Sequence, residues 1–275
     1  MPRNHNWLAR PRLWVEAFVL VNLAFLSLDI YLAHSTNDFR EAAEYIPLYF
    51  SMFAPAVLLA ALLAHHGESG GAAWRDLGLF VGWLSIAVGL AGVVLHLESQ
   101  FFIQHTLRSL VYSAPFAAPL AYAGLGLLLI MNRMVGERTS EWALWVILLA
   151  WGGFVGNFVF SLTDHAQNGF YHPTEWIPVA SSALAVGFLG VPFLADVDVA
   201  FLRCCAAVLL LQAVVGVFGF GLHTAANLAG PSPSMFENFI YGAPAMAPLL
   251  FPNLVLLALI GLWALKNRLP AASAG

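Results

Sequence analysis

Eight apolar stretches dominate this chain, at residues 13–32, 45–64, 78–97, 110–131, 142–162, 176–195, 201–222 and 241–265. Each is long enough to cross the ~30 Å hydrocarbon core of a bilayer as a helix. In lipid no water satisfies a peptide group, so such segments must close their hydrogen bonds internally, as helices or a sealed barrel. Stretches of about 20 residues without strand alternation choose helices. The expected fold is therefore all-α, a polytopic membrane protein of eight transmembrane helices. With 60% hydrophobic and 9% charged residues, a water-soluble surface is excluded, as is a nucleic-acid partner. The lipid bilayer is the obligatory partner, and further membrane subunits remain open.

Basic residues set the expected orientation. Arg3, Arg10, Arg12, Arg75, Arg133, Arg138, Arg203, Lys266 and Arg268 fall at one set of helix ends, and only Arg40 and Arg108 at the other. The positive-inside rule then places both termini in the cytoplasm of a multi-pass cell-membrane protein. The first span is interrupted by Glu16, Asn22 and Asp29 and lacks a small-residue cleavage site, so it reads as a retained helix rather than a signal peptide. Histidines sort the opposite way. His34, His96, His105, His165, His172 and His223 lie at the outer ends, and His5, His65 and His66 inside. Cys204 and Cys205 are neighbours within a span; adjacent helical residues point apart, which argues for packing rather than a disulfide or a metal pair.

The chain also repeats itself. Val-Gly-x-x-Gly-x-x-Leu-His ends at His96 and again at His223. Tyr-x-Ala-Pro-x-x-Ala-Pro-Leu begins at Tyr112 and Tyr241. Glu44-Tyr-Ile-Pro47 returns as Glu175-Trp-Ile-Pro178, and Asn22 with Asp29 is matched to Asn157 with Asp164 at the same spacing of seven. Segments 1–136 and 137–275 thus read as two four-helix repeats. An even number of spans per copy makes the repeat parallel, about a pseudo-two-fold axis along the membrane normal. Gly89, Gly92 and His96 share a helix face, as do Gly216, Gly219 and His223. Small residues allow close backbone approach, which turns each histidine toward the bundle.

Ionisable groups inside a span cost about 2.5–3.5 kcal/mol at its centre and mark function by default. The candidate metal ligands are Asp29, Glu44, His96, Asp164, His165, Glu175 and His223, with Asn22 and Asn157 expected to orient the aspartates. Repeated carboxylates and two histidines match the inventory of a carboxylate-bridged di-iron or di-manganese centre, although no Glu-x-x-His is present. Two further arrangements are a copper or zinc site using His165 with His34, His105 and His172, and a haem held between His96 and His223. The haem ranks lower because it leaves the acids unexplained. The bland alternatives are that Glu44 and Glu175 only complement helix N-termini, and that His34, His105, His172, Asp38 and Glu41 are solvated interfacial residues. These residues suggest an integral membrane oxidoreductase with a carboxylate/histidine centre near the outer leaflet, acting on a hydrophobic substrate. A cation- or proton-coupled transporter and a structural subunit of a membrane complex are the alternatives.

Overall fold

The computed structural model describes residues 10–65 and 71–269; Arg3, His5, His66 and Glu68 lie outside them. All regular structure among these residues is helical. The helices are α1 (Pro11–Ser35), α2 (Tyr45–His65), α3 (Gly71–Glu98), α4 (Phe101–Gln104), α5 (Leu107–Val111), α6 (Leu120–Met134), α7 (Ser140–Gln167), α8 (Trp176–Gly190), α9 (Val199–Leu228), α10 (Met235–Tyr241) and α11 (Leu250–Lys266). Short 3-10 turns precede α2 (Ala42–Glu44), α8 (Pro173–Glu175) and α11 (Ala247–Leu249).

Seven helices are long and apolar enough to cross a membrane: α1, α2, α3, α7, α8, α9 and α11, with α2, α8 and α11 joined to their 3-10 turns. The chain is a helical multi-pass membrane protein. The expected fourth span differs. In place of one helix over 110–131, the chain forms the short α5, an irregular passage, and then α6 of 15 residues. Pro115 and Pro119 explain the break, because proline donates no hydrogen bond and crowds the preceding turn. The eighth span is shortened for the same reason. Pro244 and Pro248 hold residues 242–249 out of the α-helix, which starts at Leu250 instead of 241.

The helices pack in two groups. α1 and α3 each pack on both α2 and α6, and α7 and α9 each pack on both α8 and α11. α1 and α3 thus stand at opposite corners of one group, α7 and α9 at opposite corners of the other. The groups meet along α6–α7 and α1–α11. Across the second seam Asn22 and Asn253 exchange amide hydrogen bonds of 3.1 and 2.5 Å. The glycines work as the spacing suggests. A methyl group at Gly89 would lie 2.7 Å from Ala123 N and 2.8 Å from Pro119 O; at Gly216 it would lie 2.6 Å from Pro248 O. Both neighbours are backbone and cannot yield, so these glycines bring α3 against α6 and α9 against the α11 lead-in.

At the end where the arginines gather, a buried polar cluster joins four helices. Glu16 of α1, 1% exposed, takes both terminal nitrogens of Arg133 of α6, one of them at 2.6 Å. The Arg133 guanidinium stacks 3.6 Å from the Trp74 ring centre of α3, and its Nε donates to Trp74 O. Asn132 donates to Glu16 and to Arg12 O, both at 3.2 Å, and accepts from the Trp142 indole of α7 at 3.3 Å. Removing one partner strands a charge in a dry interior. Glu16→Ala is expected to cost about 3–5 kcal/mol, with Glu16→Leu/Arg133→Leu recovering most of it. Unfolding of the detergent-solubilised protein measures both.

Candidate functional site

Two clusters of matching construction lie at the histidine end of the helices. The first is built on His34, in the last turn of α1. The chain leaves that helix through Asp38 and Phe39, both at positive φ (59° and 51°), with Phe39 N–H bonded to His34 O. The tight reversal folds Phe39 onto the Tyr45 ring, 4.9 Å between centroids, and places Glu44 beneath His34. His34 Nδ1 lies 3.3 Å from Glu44 Oε2, while Asn37 donates to Glu44 Oε1 at 2.9 Å. His96, in the last turn of α3, brings its ring to 6.2 Å from that of His34.

The second cluster uses the same parts. His165 closes α7, Gly169 and Phe170 carry the positive φ (71° and 54°), and Phe170 N–H bonds to His165 O. Phe170 stacks on Trp176 at 3.9 Å. His165 Nδ1 lies 3.6 Å from Glu175 Oε2, and the His223 ring, from α9, stands 6.4 Å from that of His165.

The irregular passages finish each cluster. His96 Nδ1 is 3.0 Å from Pro115 O, and His223 Nδ1 is 3.0 Å from Pro244 O. A carbonyl only accepts, so both nitrogens carry their protons and donate. The passages are themselves pinned. Ala114 N–H donates to Ser99 Oγ at 3.0 Å, and Asn227 exchanges two 2.8 Å bonds with Ala243. The proline carbonyls are in this way presented to the histidines. Nδ1 of His34 and His165 faces a carboxylate and Nδ1 of His96 and His223 donates to a carbonyl, while none of the four Nε2 atoms makes a hydrogen bond among the described residues.

Of the residues singled out in the sequence, Glu44 and His96 come together in one cluster, and His165, Glu175 and His223 in the other. Asp164, next to His165, lies within electrostatic reach of His165, His223 and Glu175 and borders a small cavity with Ser113 and Pro115. Asp29 is within reach of Tyr122 and makes no hydrogen bond or ion pair with the first cluster. Asn22 is committed to Asn253 rather than to Asp29. His96 and His223 do not face each other; each faces the histidine of its own group. His105 packs on Phe101; His172 packs on Tyr171, and its backbone N–H donates to Glu175 Oε1 at 3.3 Å. Among the described residues no three His, Cys, Asp or Glu side chains converge as ligands of one ion.

The residue that the spacing argument passed over is His34. The signal was present as His34-x-x-Asn37-x-Phe39-x4-Glu44-x-Ile-Pro47, which recurs as His165-x-x-Asn168-x-Phe170-x4-Glu175-x-Ile-Pro178. No protein-family model, curated protein or solved structure matches this chain.

The left-handed turn in each motif strains any residue with a Cβ by about 1–2 kcal/mol. Gly169→Val is therefore expected to destabilise the protein by about that amount, while Asp38→Gly is neutral or stabilising. Thermal denaturation in detergent, compared with the parent, reads both.

Proposed function

We propose that this chain is an integral membrane metalloprotein of oxidoreductase type, with one metal centre at each histidine pair. What supports the reading is one repeated observation: each pair joins an imidazole whose Nδ1 donates to a proline carbonyl to one whose Nδ1 faces a carboxylate at 3.3 or 3.6 Å, and among the described residues no Nε2 of the four is hydrogen-bonded. Metal-binding histidines are held in this way, since the Nδ1–H···O bond fixes the tautomer and makes the other nitrogen a better donor. A histidine meant only to be satisfied has no need of that arrangement in two places.

In this reading Glu44 and Glu175 orient His34 and His165 instead of bridging two ions, and the centre is an imidazole pair rather than a carboxylate-bridged di-metal. Iron and copper both accept imidazole, and either would supply one-electron chemistry. Segments 1–136 and 137–275 are the two parallel four-helix repeats, related by a pseudo-two-fold axis along the membrane normal. Both termini are cytoplasmic, which sets the centres near the outer leaflet. Apolar helices around them suit a hydrophobic reductant or oxidant drawn from the bilayer.

A second reading, a cation- or proton-coupled transporter, is favoured by the irregular passages 112–119 and 242–249. Interrupted helices with exposed carbonyls line ion sites in such proteins. Cation flux into proteoliposomes that is lost in His96→Ala and His223→Ala, with no metal retained by the parent, would decide for it. Impaired assembly with unchanged metal content in the same variants would point to a structural subunit.

Detergent-purified protein is expected to carry stoichiometric transition metal at two sites. Glu44→Gln should weaken one site about 10–100-fold while leaving the other intact. Elemental analysis and metal titration check this. Protein without metal, and unable to take it up, overturns the reading.

A further inference from the structure

We infer that the occupant of each histidine pair is haem, held by His34 and His96 in one group of helices and by His165 and His223 in the other. The inference rests on the metalloprotein reading and narrows it to one class of cofactor.

The first argument is the number of ligands. A bare transition ion in a protein takes three or four side-chain ligands. Here each cluster has two imidazoles whose Nε2 makes no hydrogen bond, and no third His, Cys, Asp or Glu converges with them among the described residues. Glu44 and Glu175 already face the imidazole Nδ1 atoms. A porphyrin iron asks for only two protein ligands, because the macrocycle supplies the other four.

The second argument is spacing. Two imidazoles bound trans on one ion through bonds of about 2.0–2.1 Å hold their ring centres about 6.3 Å apart, whereas a tetrahedral angle brings them to about 5 Å. The observed separations, 6.2 and 6.4 Å, fit the trans arrangement in both clusters.

The third argument is placement. α1 and α3 occupy opposite corners of their group, as do α7 and α9. Histidines reaching inward from opposite corners address the two faces of a plate that lies between them. All four sit in or close to the last turns of their helices, so a carboxylate edge of the plate reaches the aqueous boundary while its apolar body stays among apolar helices. With both axial positions taken by imidazole, the iron has no open position for a substrate. Such a centre is suited to passing electrons, not to binding the molecule that supplies them.

The test uses the full-length chain, purified in detergent from haem-replete cells, with haemin added to any haem-free preparation. Pyridine-haemochrome assay and elemental analysis count haem and total metal. The expected result is two haems per chain with a low-spin, bis-imidazole spectrum. His96→Ala should lose one haem and His165→Ala the other, and the haem retained in each variant reports that the protein is still folded. Stoichiometric copper or non-haem iron without haem overturns the inference and leaves the metalloprotein reading standing. A single haem lost in both His96→Ala and His223→Ala but retained in His34→Ala overturns the pairing. No metal and no uptake of haemin overturns both readings.

Discussion

A backbone carbonyl freed from its helix must find another donor, and this requirement shapes the histidine end of the molecule. Pro115, Pro119, Pro244 and Pro248 cannot sustain helical bonding, so α6 and α11 begin late and leave passages with carbonyls exposed. Pro115 O and Pro244 O are met by His96 and His223. Each interaction serves two needs at once, closing the defect in the helix and fixing the tautomer and direction of the imidazole. The glycines belong to the same device. Without the close approach of Gly89 to Pro119 O and of Gly216 to Pro248 O, the passages would stand too far from α3 and α9 to receive a side chain from them.

The two ends of the molecule rest on different physics. At the arginine end a buried ion pair, Glu16 with Arg133, is surrounded by Asn132, Trp74 and Trp142. Counting from His34 matched to His165, the position equivalent to Glu16 is Ile147, an apolar residue buried in the core. The second group of helices packs without a charge there, so the ion pair is an anchor that one group has and the other does without. The histidine end is retained in both groups, down to the left-handed turn at Phe39 and Phe170 and the aromatic stack behind it. Packing alone does not require a charge at that position. The occurrence of His, Glu, His and a proline carbonyl in both groups calls for a reason beyond packing.

The spans were legible because hydrocarbon thickness and hydropathy act on twenty residues together, and no single residue can hide that signal. The helix breaks were not, although every proline responsible was in view. Proline near a helix start is tolerated or disruptive according to what else can satisfy the freed carbonyl, and that partner, His96 or His223, lies 19 or 21 residues away in sequence. Glu44, Glu175, His96 and His223 were found because they belong to exact short repeats. His34 entered only the copper or zinc arrangement and not the repeat, because α1 and α7 were matched through Asn22 and Asp29 on Asn157 and Asp164. That register conflicts with the Glu44–Glu175 match: Asp29 precedes Glu44 by 15 residues, while Asp164 precedes Glu175 by 11. The difference of four is about one helical turn, so the wrong register still put the same face forward and looked consistent. Extending the Glu-aromatic-Ile-Pro match upstream removes the discrepancy and aligns His34 with His165.

That corrected register makes the two sites unequal in one respect. Asp164 aligns with Ala33, so a carboxylate stands within electrostatic reach of His165 and His223 while the first cluster has a methyl group in its place. Asp29 does not compensate: it lies within electrostatic reach of Tyr122, which is itself bonded to Ser51 and Pro47 O, and makes no hydrogen bond or ion pair with the first cluster. Fields from charges inside an apolar bundle are weakly screened, so one carboxylate is enough to separate the electrostatics of two otherwise matching sites. Asp164 also borders the cavity where the end of α7 meets Pro115, the residue whose carbonyl holds His96. The feature that distinguishes the second cluster therefore lines the same cavity as the backbone that builds the first.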